Sequence, residues 1–317
     1  MVVENIIYFA VSALFMIIAG IFLVKSLVHI SRFLGISEFS AAFIIMAFAT
    51  SIPEFFIGVT SALSGNPSLS LGNVIGANIL DLTLIMGIIV LSVKEIKIKS
   101  DGISKDLYFM LIAITLVVLL FSIGRELSRI DGIILLVVFF FHTVNVFRKR
   151  KKFEKQKIKK TKNFKNKLNK FYWLLIFLIA LIGLFVSSNF VVKYAVNLAE
   201  DLKLPQIFVG LFLISIATTL PELVFGLSAV NLKHKVMAVG DQVGTVVMNS
   251  TFILGTVALI KPITAEFLPF IISGIFMFVA AFIFTTFVLT GKKIEKNEAI
   301  SLILIYVLFI IFEIFVK

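Results

Sequence analysis

No cysteine occurs in the chain, so disulfides, thiolate metal sites and lipidated cysteines are excluded at once. Histidines number three, His29, His142 and His234. They fall at the edges of apolar runs or in loops and read as solvated, so soft and borderline metals find few ligands. Acids are scarce too, 18 Asp and Glu against 30 Lys and Arg, which leaves a net charge of +12. Long polar segments are missing. The longest, 148–171, is too short and too charged to build a core. With no Walker sequence and no room for a nucleotide domain, ATP-driven pumping is disfavoured.

What remains is apolar. Hydrophobic residues make up 60% of the chain and its mean hydropathy is +1.10, values that belong to polytopic membrane proteins. A membrane helix needs about 20 mostly apolar residues. Ten such stretches can be drawn, at 5–26, 38–64, 69–92, 104–123, 127–147, 172–194, 205–231, 237–260, 267–290 and 298–316. The first does not read as a signal peptide, because Glu4 replaces a basic start and the apolar run is too long.

The charge is local. Arg148 to Lys170 holds thirteen Lys or Arg and one acid, Glu154. Nucleic-acid binding is the naive reading of such a run, but a topology signal accounts for it better, since Lys and Arg gather in cytoplasmic loops. With this segment inside, Lys25, Arg32, Lys94, Lys233 and Lys292 fall inside as well, and both termini lie outside. The expected location is a multi-pass cell-membrane protein. Anionic lipid is a plausible partner at 148–170, with Tyr172 and Trp173 as interface anchors.

The chain is a duplication. Ala49-Thr50-Ser51-Ile52-Pro53-Glu54 returns 168 residues later as Ala217-Thr218-Thr219-Leu220-Pro221-Glu222. At the same offset Gly72 matches Gly240, Gly76 matches Gly244, Asp81 matches Asn249 and Gly87 matches Gly255. The predicted fold is an all-α polytopic membrane protein of ten transmembrane helices, built as two inverted five-helix repeats. Residues 1–147 form the first repeat, 148–171 a basic cytoplasmic loop and 172–317 the second repeat. Five is odd, so the second half enters the bilayer from the other side and the halves meet at the midplane, where secondary transporters hold their cargo.

Pro53 and Pro221 read as helix-interior prolines, each clashing with the carbonyl four residues back, at Ala49 and Ala217. Freed carbonyls inside a bilayer must be satisfied by neighbours or by ions. Glu54, Glu222 and Asp81 add carboxylates, and Ser51, Thr219 and Asn249 add neutral oxygens. Hard cations take oxygen ligands, Ca²⁺ six to eight of them. Three negative charges are balanced by Ca²⁺ with one proton or by several Na⁺, an equivalence that suits exchange. Asn73, Ala77 and Asp81 line one helix face, with Asp241, Thr245 and Asn249 as the matching set. The glycines of the same spans read as packing residues. Asp241, a turn or more nearer the end of its helix, is expected in the vestibule.

These residues resemble the cation/Ca²⁺ antiporter superfamily, most closely its prokaryotic Na⁺/Ca²⁺ exchanger branch. The resemblance rests on Ala49–Glu54 and Ala217–Glu222 for one paired signature, and on Gly72–Asn78 and Gly240–Val246 for the other. It implies that Glu54 and Glu222 hold Ca²⁺ with carbonyls of Thr50 and Thr218. It further implies that Ser51, Thr219, Asp81, Asn249, Ala77 and Thr245 shape flanking Na⁺ sites. Four departures from the pattern stand out: alanine opens the first signature in both halves, Thr219 and Ala77 replace serines, Asp241 replaces an asparagine and is followed by Gln242, and the extra acid sits at Asp81 instead of opposite it. The expectation is Na⁺/Ca²⁺ antiport by alternating access, with spans one and six as the sliding part, no cofactor, no enzymatic activity and a monomer as the working unit. H⁺/Ca²⁺ antiport is the alternative on the same scaffold. A channel with a carboxylate ring and an intramembrane aspartyl protease fit less well. A duplicated helix-breaking site favours alternating access, and Asp81 and Asp241 are not at matching positions.

Overall fold

The structure is a computed structural model and describes residues 2–33, 47–98, 101–154, 167–231 and 234–316. Ten helices follow in chain order: α1 (Val2–Phe33), α2 (Ile52–Leu63), α3 (Pro67–Val93), α4 (Asp101–Gly124), α5 (Arg129–Glu154), α6 (Lys167–Asp201), α7 (Gln206–Asn231), α8 (Lys235–Ile260), α9 (Phe267–Gly291) and α10 (Lys296–Val316). Among the described residues nine of them, all but α2, are long and apolar enough to cross a membrane. Of the predicted span 38–64, residues 38–46 lie outside the described residues; 47–50 are helical and lead through a turn at Ser51 into α2.

Two predicted boundaries need correction. The basic segment is not all loop, because α5 continues to Glu154 and α6 already starts at Lys167. Lys and Arg are good helix formers, and hydropathy marks where a helix leaves the lipid, not where it ends. The remainder, 155–166, lies outside the described residues. Nor is the chain purely helical. Four short strands, β1 (Glu95–Lys97), β2 (Glu126–Leu127), β3 (Ile263–Thr264) and β4 (Lys293–Glu295), pair as β1–β4 and β2–β3, both antiparallel.

The two ribbons follow the repeat in the sequence. Ile96 pairs with Ile294, and adding or subtracting 168 turns that pair into Thr264 with Glu126, which is the observed register of the other ribbon. Helix α4 runs from the β1–β4 ribbon to the β2–β3 ribbon, and α9 runs back between the same two.

Helices α3 and α8 are the inner pair, 83% and 72% buried along their spans, while α5 is 17% buried. Each inner helix widens into a π-turn, at Asp81–Ile85 in α3 and at Asn249–Ile253 in α8. Helix α7 has another at Gly210–Ile214. Such a turn shifts the hydrogen-bond step from four residues to five and leaves a carbonyl over. Hydroxyls take it up: Thr251 Oγ1 donates to the Val247 carbonyl at 2.6 Å, and Thr83 and Ser215 do the same for Ile79 and Leu211.

The apolar interior forms two clusters. The larger joins α3, α4 and α7–α10, with Phe121, Phe270, Phe284 and Phe309 among its largest side chains. The smaller gathers α1 and α6 against the inward faces of the 47–63 segment and α7. Phenylalanines, leucines and isoleucines line the outward faces of α1, α4–α6, α9 and α10, as lipid contact requires.

Candidate ion-binding site

The two signatures meet under α1. A Cβ on Gly20 would sit 2.8 Å from Pro221 Cγ and 3.5 Å from Pro53 Cγ, so this helix passes directly over both prolines. The prolines are not equivalent, which corrects half of the sequence expectation. Pro221 lies inside α7, whereas Pro53 stands in the first turn of α2, after the break at Ser51. Proline is well tolerated in a first turn, where its missing N–H has no carbonyl to serve.

All ten residues predicted for the site are buried, none exposing more than 2% of its surface. Ser51 Oγ donates to the Ala47 carbonyl at 2.8 Å and Thr219 Oγ1 to the Ser215 carbonyl at 2.9 Å, matching bonds in the two halves. Their protons are thereby occupied while oxygen lone pairs stay available to a cation. Thr218 Oγ1 donates to Asn73 Oδ1 at 3.0 Å. Thr50 Oγ1 and Thr245 Oγ1 are 3.3 Å apart. Ala77 is fully enclosed and contributes no side-chain oxygen. Asn249 Nδ2 donates to Asn78 Oδ1 at 3.1 Å, and Asn78 Nδ2 in turn to Ser250 Oγ at 3.0 Å, so Asn249 turns its own Oδ1 away from this chain of bonds, without a partner.

Glu54 and Glu222 are fully buried, and neither carboxylate accepts a hydrogen bond on either oxygen. Asp81 has one satisfied oxygen: with its amide nitrogen turned inward, Gln242 donates to Asp81 Oδ1 at 3.1 Å and to the Asp81 carbonyl at 3.2 Å. Asp241 is 1% exposed, with both oxygens unpartnered, and it faces Asp81 and Glu222 electrostatically. This overturns its expected vestibule position, so the site holds four carboxylates instead of three. Lys235 begins α8 less than two turns before Asp241, yet the residue is enclosed, with Thr50 of the 47–50 segment beside it. Gln242 follows Asp241 directly in the chain, yet nothing in the residue order points to its contact with Asp81.

Four buried carboxylates with no cationic partner are costly, since burial of an ion is offset only by close opposite charge or good hydrogen bonds. Among the described residues no ion pair reaches any of the four. No three acids or imidazoles converge there as a ready-made metal cage either. A cation here therefore draws on neutral oxygens as well. Two histidines also depart from expectation. His142 stacks on Phe109 at 3.7 Å, with Asp106 3.9 Å away, and His29 stacks on Trp173 at 3.7 Å; His234 is exposed as predicted.

Sequence comparison decides the family. The sodium/calcium exchanger protein family matches residues 4–148 and 172–315, nearly the whole chain. The chain belongs to it. This family membership makes the protein an exchanger-like cation/Ca²⁺ antiporter and a multi-pass membrane protein. It is 25% identical to the sodium/calcium exchanger MaX1 of Methanosarcina acetivorans, over 98% of this chain and 99% of that one. It is 29% identical to the inner membrane protein YrbG of Escherichia coli, over 73% and 72%. The fold is that of the sodium-calcium exchanger NCX_Mj soaked with Na⁺ and Sr²⁺, at a TM-score of 0.68, 22% identity and 98% and 99% coverage. It is equally that of the H⁺/Ca²⁺ exchanger CAX, at a TM-score of 0.78, 16% identity and 97% and 81% coverage.

Proposed function

We propose that this exchanger is a secondary active antiporter that trades Na⁺ for Ca²⁺ at a single site between its two halves. The observation that carries the reading is a pair of duplicated segments, each delivering a fully buried glutamate with no counter-charge to a common centre. Carboxylates buried in this way are stabilised by whichever cation binds them, so Ca²⁺ and Na⁺ compete for the site. Ions bias the inward- and outward-facing states only through different affinities for the two. Glu54 and Glu222 are the Ca²⁺ carboxylates, aided by carbonyls of Thr50 and Thr218. Ser51, Thr219, Thr245, Asp81 and Asn249 supply the flanking oxygens, and Ala77 leaves space without a ligand.

The scaffold is ten transmembrane helices in two inverted repeats, 1–147 and 172–317, joined by the basic segment 148–171. The interchange of the two ribbons at an offset of 168 supports this arrangement. The basic segment faces the cytoplasm, where its cations touch anionic lipid, and both termini lie outside. Helices α1 and α6, which share their own apolar cluster, are the sliding part, and a monomer suffices. Transport, not covalent chemistry, is the activity. Proton coupling is the second reading, and the fourth buried carboxylate speaks for it.

Uptake of ⁴⁵Ca²⁺ into proteoliposomes separates the two. Vesicles loaded with Na⁺ are expected to accumulate Ca²⁺ and K⁺-loaded vesicles are not. Uptake driven by a pH gradient alone, with no dependence on internal Na⁺, would replace the first reading with the second.

A further inference from the structure

Gln242 has no equivalent in the first half of the chain. At the offset of 168 its counterpart is Val74, which carries no hydrogen-bonding side chain. The residue that Gln242 holds is not repeated either, since Asp81 matches Asn249. Each of these two is bonded to an amide of the facing helix, but from positions that do not correspond. Asn249 of α8 donates to Asn78 of α3 at 3.1 Å, whereas the match of Asn78 is Val246, which has nothing to offer Asp81. Asp81 of α3 is served instead by Gln242 of α8, whose amide nitrogen lies 3.1 Å from Oδ1 and 3.2 Å from the Asp81 carbonyl. Where the chain exchanges an amide for an acid, it also exchanges a buried valine for a fully buried donor.

The two contacts fix Asp81 at the head of the π-turn that it begins. A carboxylate tethered both at one oxygen and at its own backbone carbonyl is not free to rotate, and only Oδ2 is left without a donor. Ca²⁺ gathers six to eight oxygens and can take both from a single carboxylate, which Asp81 in this position cannot give. A hydrogen bond to a charged group contributes about 1.5–3 kcal/mol, so freeing Oδ1 for a metal carries a substantial cost. Glu54 and Glu222 differ, with all four of their oxygens unpartnered. We propose that Gln242 is a specificity-determining positioning residue: by restricting Asp81 to one open oxygen, it keeps Ca²⁺ off Asp81 and on the two glutamates. The proposal rests on the Na⁺/Ca²⁺ reading for the identity of the competing ions, while its claim about Ca²⁺ affinity is tested without transport.

The test uses the full chain in lipid nanodiscs, with thermal unfolding followed against CaCl₂ and separately against NaCl at constant ionic strength in choline chloride. Gln242→Met keeps the length of the side chain and removes its amide. The Ca²⁺ concentration for half-maximal stabilisation is expected to fall about tenfold, equivalent to about 1.4 kcal/mol, while the Na⁺ value moves less than about threefold by the same measure. Added to Asp81→Asn, Gln242→Met is expected to move neither value, because the carboxylate it would release is gone. A merely structural role would shift both ions alike, or would persist without Asp81. Either result would overturn the proposal, as would an unchanged Ca²⁺ value. Gln242→Leu carries the same test should Gln242→Met fail to elute as a single folded species. Uptake of ⁴⁵Ca²⁺ keeps the two claims apart. Wild-type vesicles that ignore internal Na⁺, from protein whose Ca²⁺ value still falls in Gln242→Met, would sink the exchange reading and leave the role of Gln242 standing. Na⁺-driven uptake in wild type, with no Ca²⁺ shift in the variant, would do the reverse.

Discussion

Glu54 and Glu222 show what the proposed ion site costs. Each is completely enclosed, accepts no hydrogen bond and faces other acids, so in the absence of cations the site is a region of like-charge repulsion. Replacing either by glutamine keeps the shape and removes the charge. Glu54→Gln and Glu222→Gln are each expected to abolish ⁴⁵Ca²⁺ uptake. In ion-free buffer the same variants should unfold at a higher temperature than wild type, because function and stability oppose each other at such sites. Retained uptake in either variant would remove that glutamate from the site. The two glutamates could be picked out from the chain because the duplication repeats them and Asp81 by its place on the third span, whereas Asp241 lies near the start of its helix and is enclosed by residues distant in sequence, Thr50 among them. Its depth is a property of neighbours distant in sequence.

Among the elements, α3 and α7 approach so closely that a Cβ on Gly72 or Gly76 would collide with the carbonyls of Ile207 and Leu211. Gly76→Ala should lower stability by about 1–3 kcal/mol, as overpacking of a tight interface does, and thermal unfolding reads this directly. The small-residue spacing showed this contact in the sequence; the identity of the facing helix did not follow from it. The π-turns were not legible at all. A turn widened by one residue leaves no periodicity over so few positions, and its trace is a hydroxyl placed to take the spare carbonyl. Thr251→Val is expected to cost about 1 kcal/mol through the lost hydrogen bond and to weaken Ca²⁺ uptake, since the turn it supports begins at Asn249. Full uptake with reduced stability would make the turn a packing device only.

Over the whole molecule, orientation is the claim most exposed to test, and the absence of cysteine supplies a clean background for it. Lys97→Cys lies on the ribbon formed by β1 and β4, and Thr264→Cys on the ribbon formed by β2 and β3. In intact cells a membrane-impermeant maleimide is expected to label Thr264→Cys and to reach Lys97→Cys only after permeabilisation. The reverse pattern would invert the protein; equal labelling of both would end the inverted-repeat arrangement. By itself the sequence determined the class, the duplication, nearly all the spans and the two glutamates, because hydropathy, charge asymmetry and a repeated signature are carried by local residue order. Only the tertiary structure decided that the prolines play unequal parts, that four carboxylates gather where three were expected, and that the ribbons exchange partners between halves. Those outcomes depend on which surfaces meet across well over a hundred residues, and burial and pairing at that range are set by packing, not by any pattern along the chain.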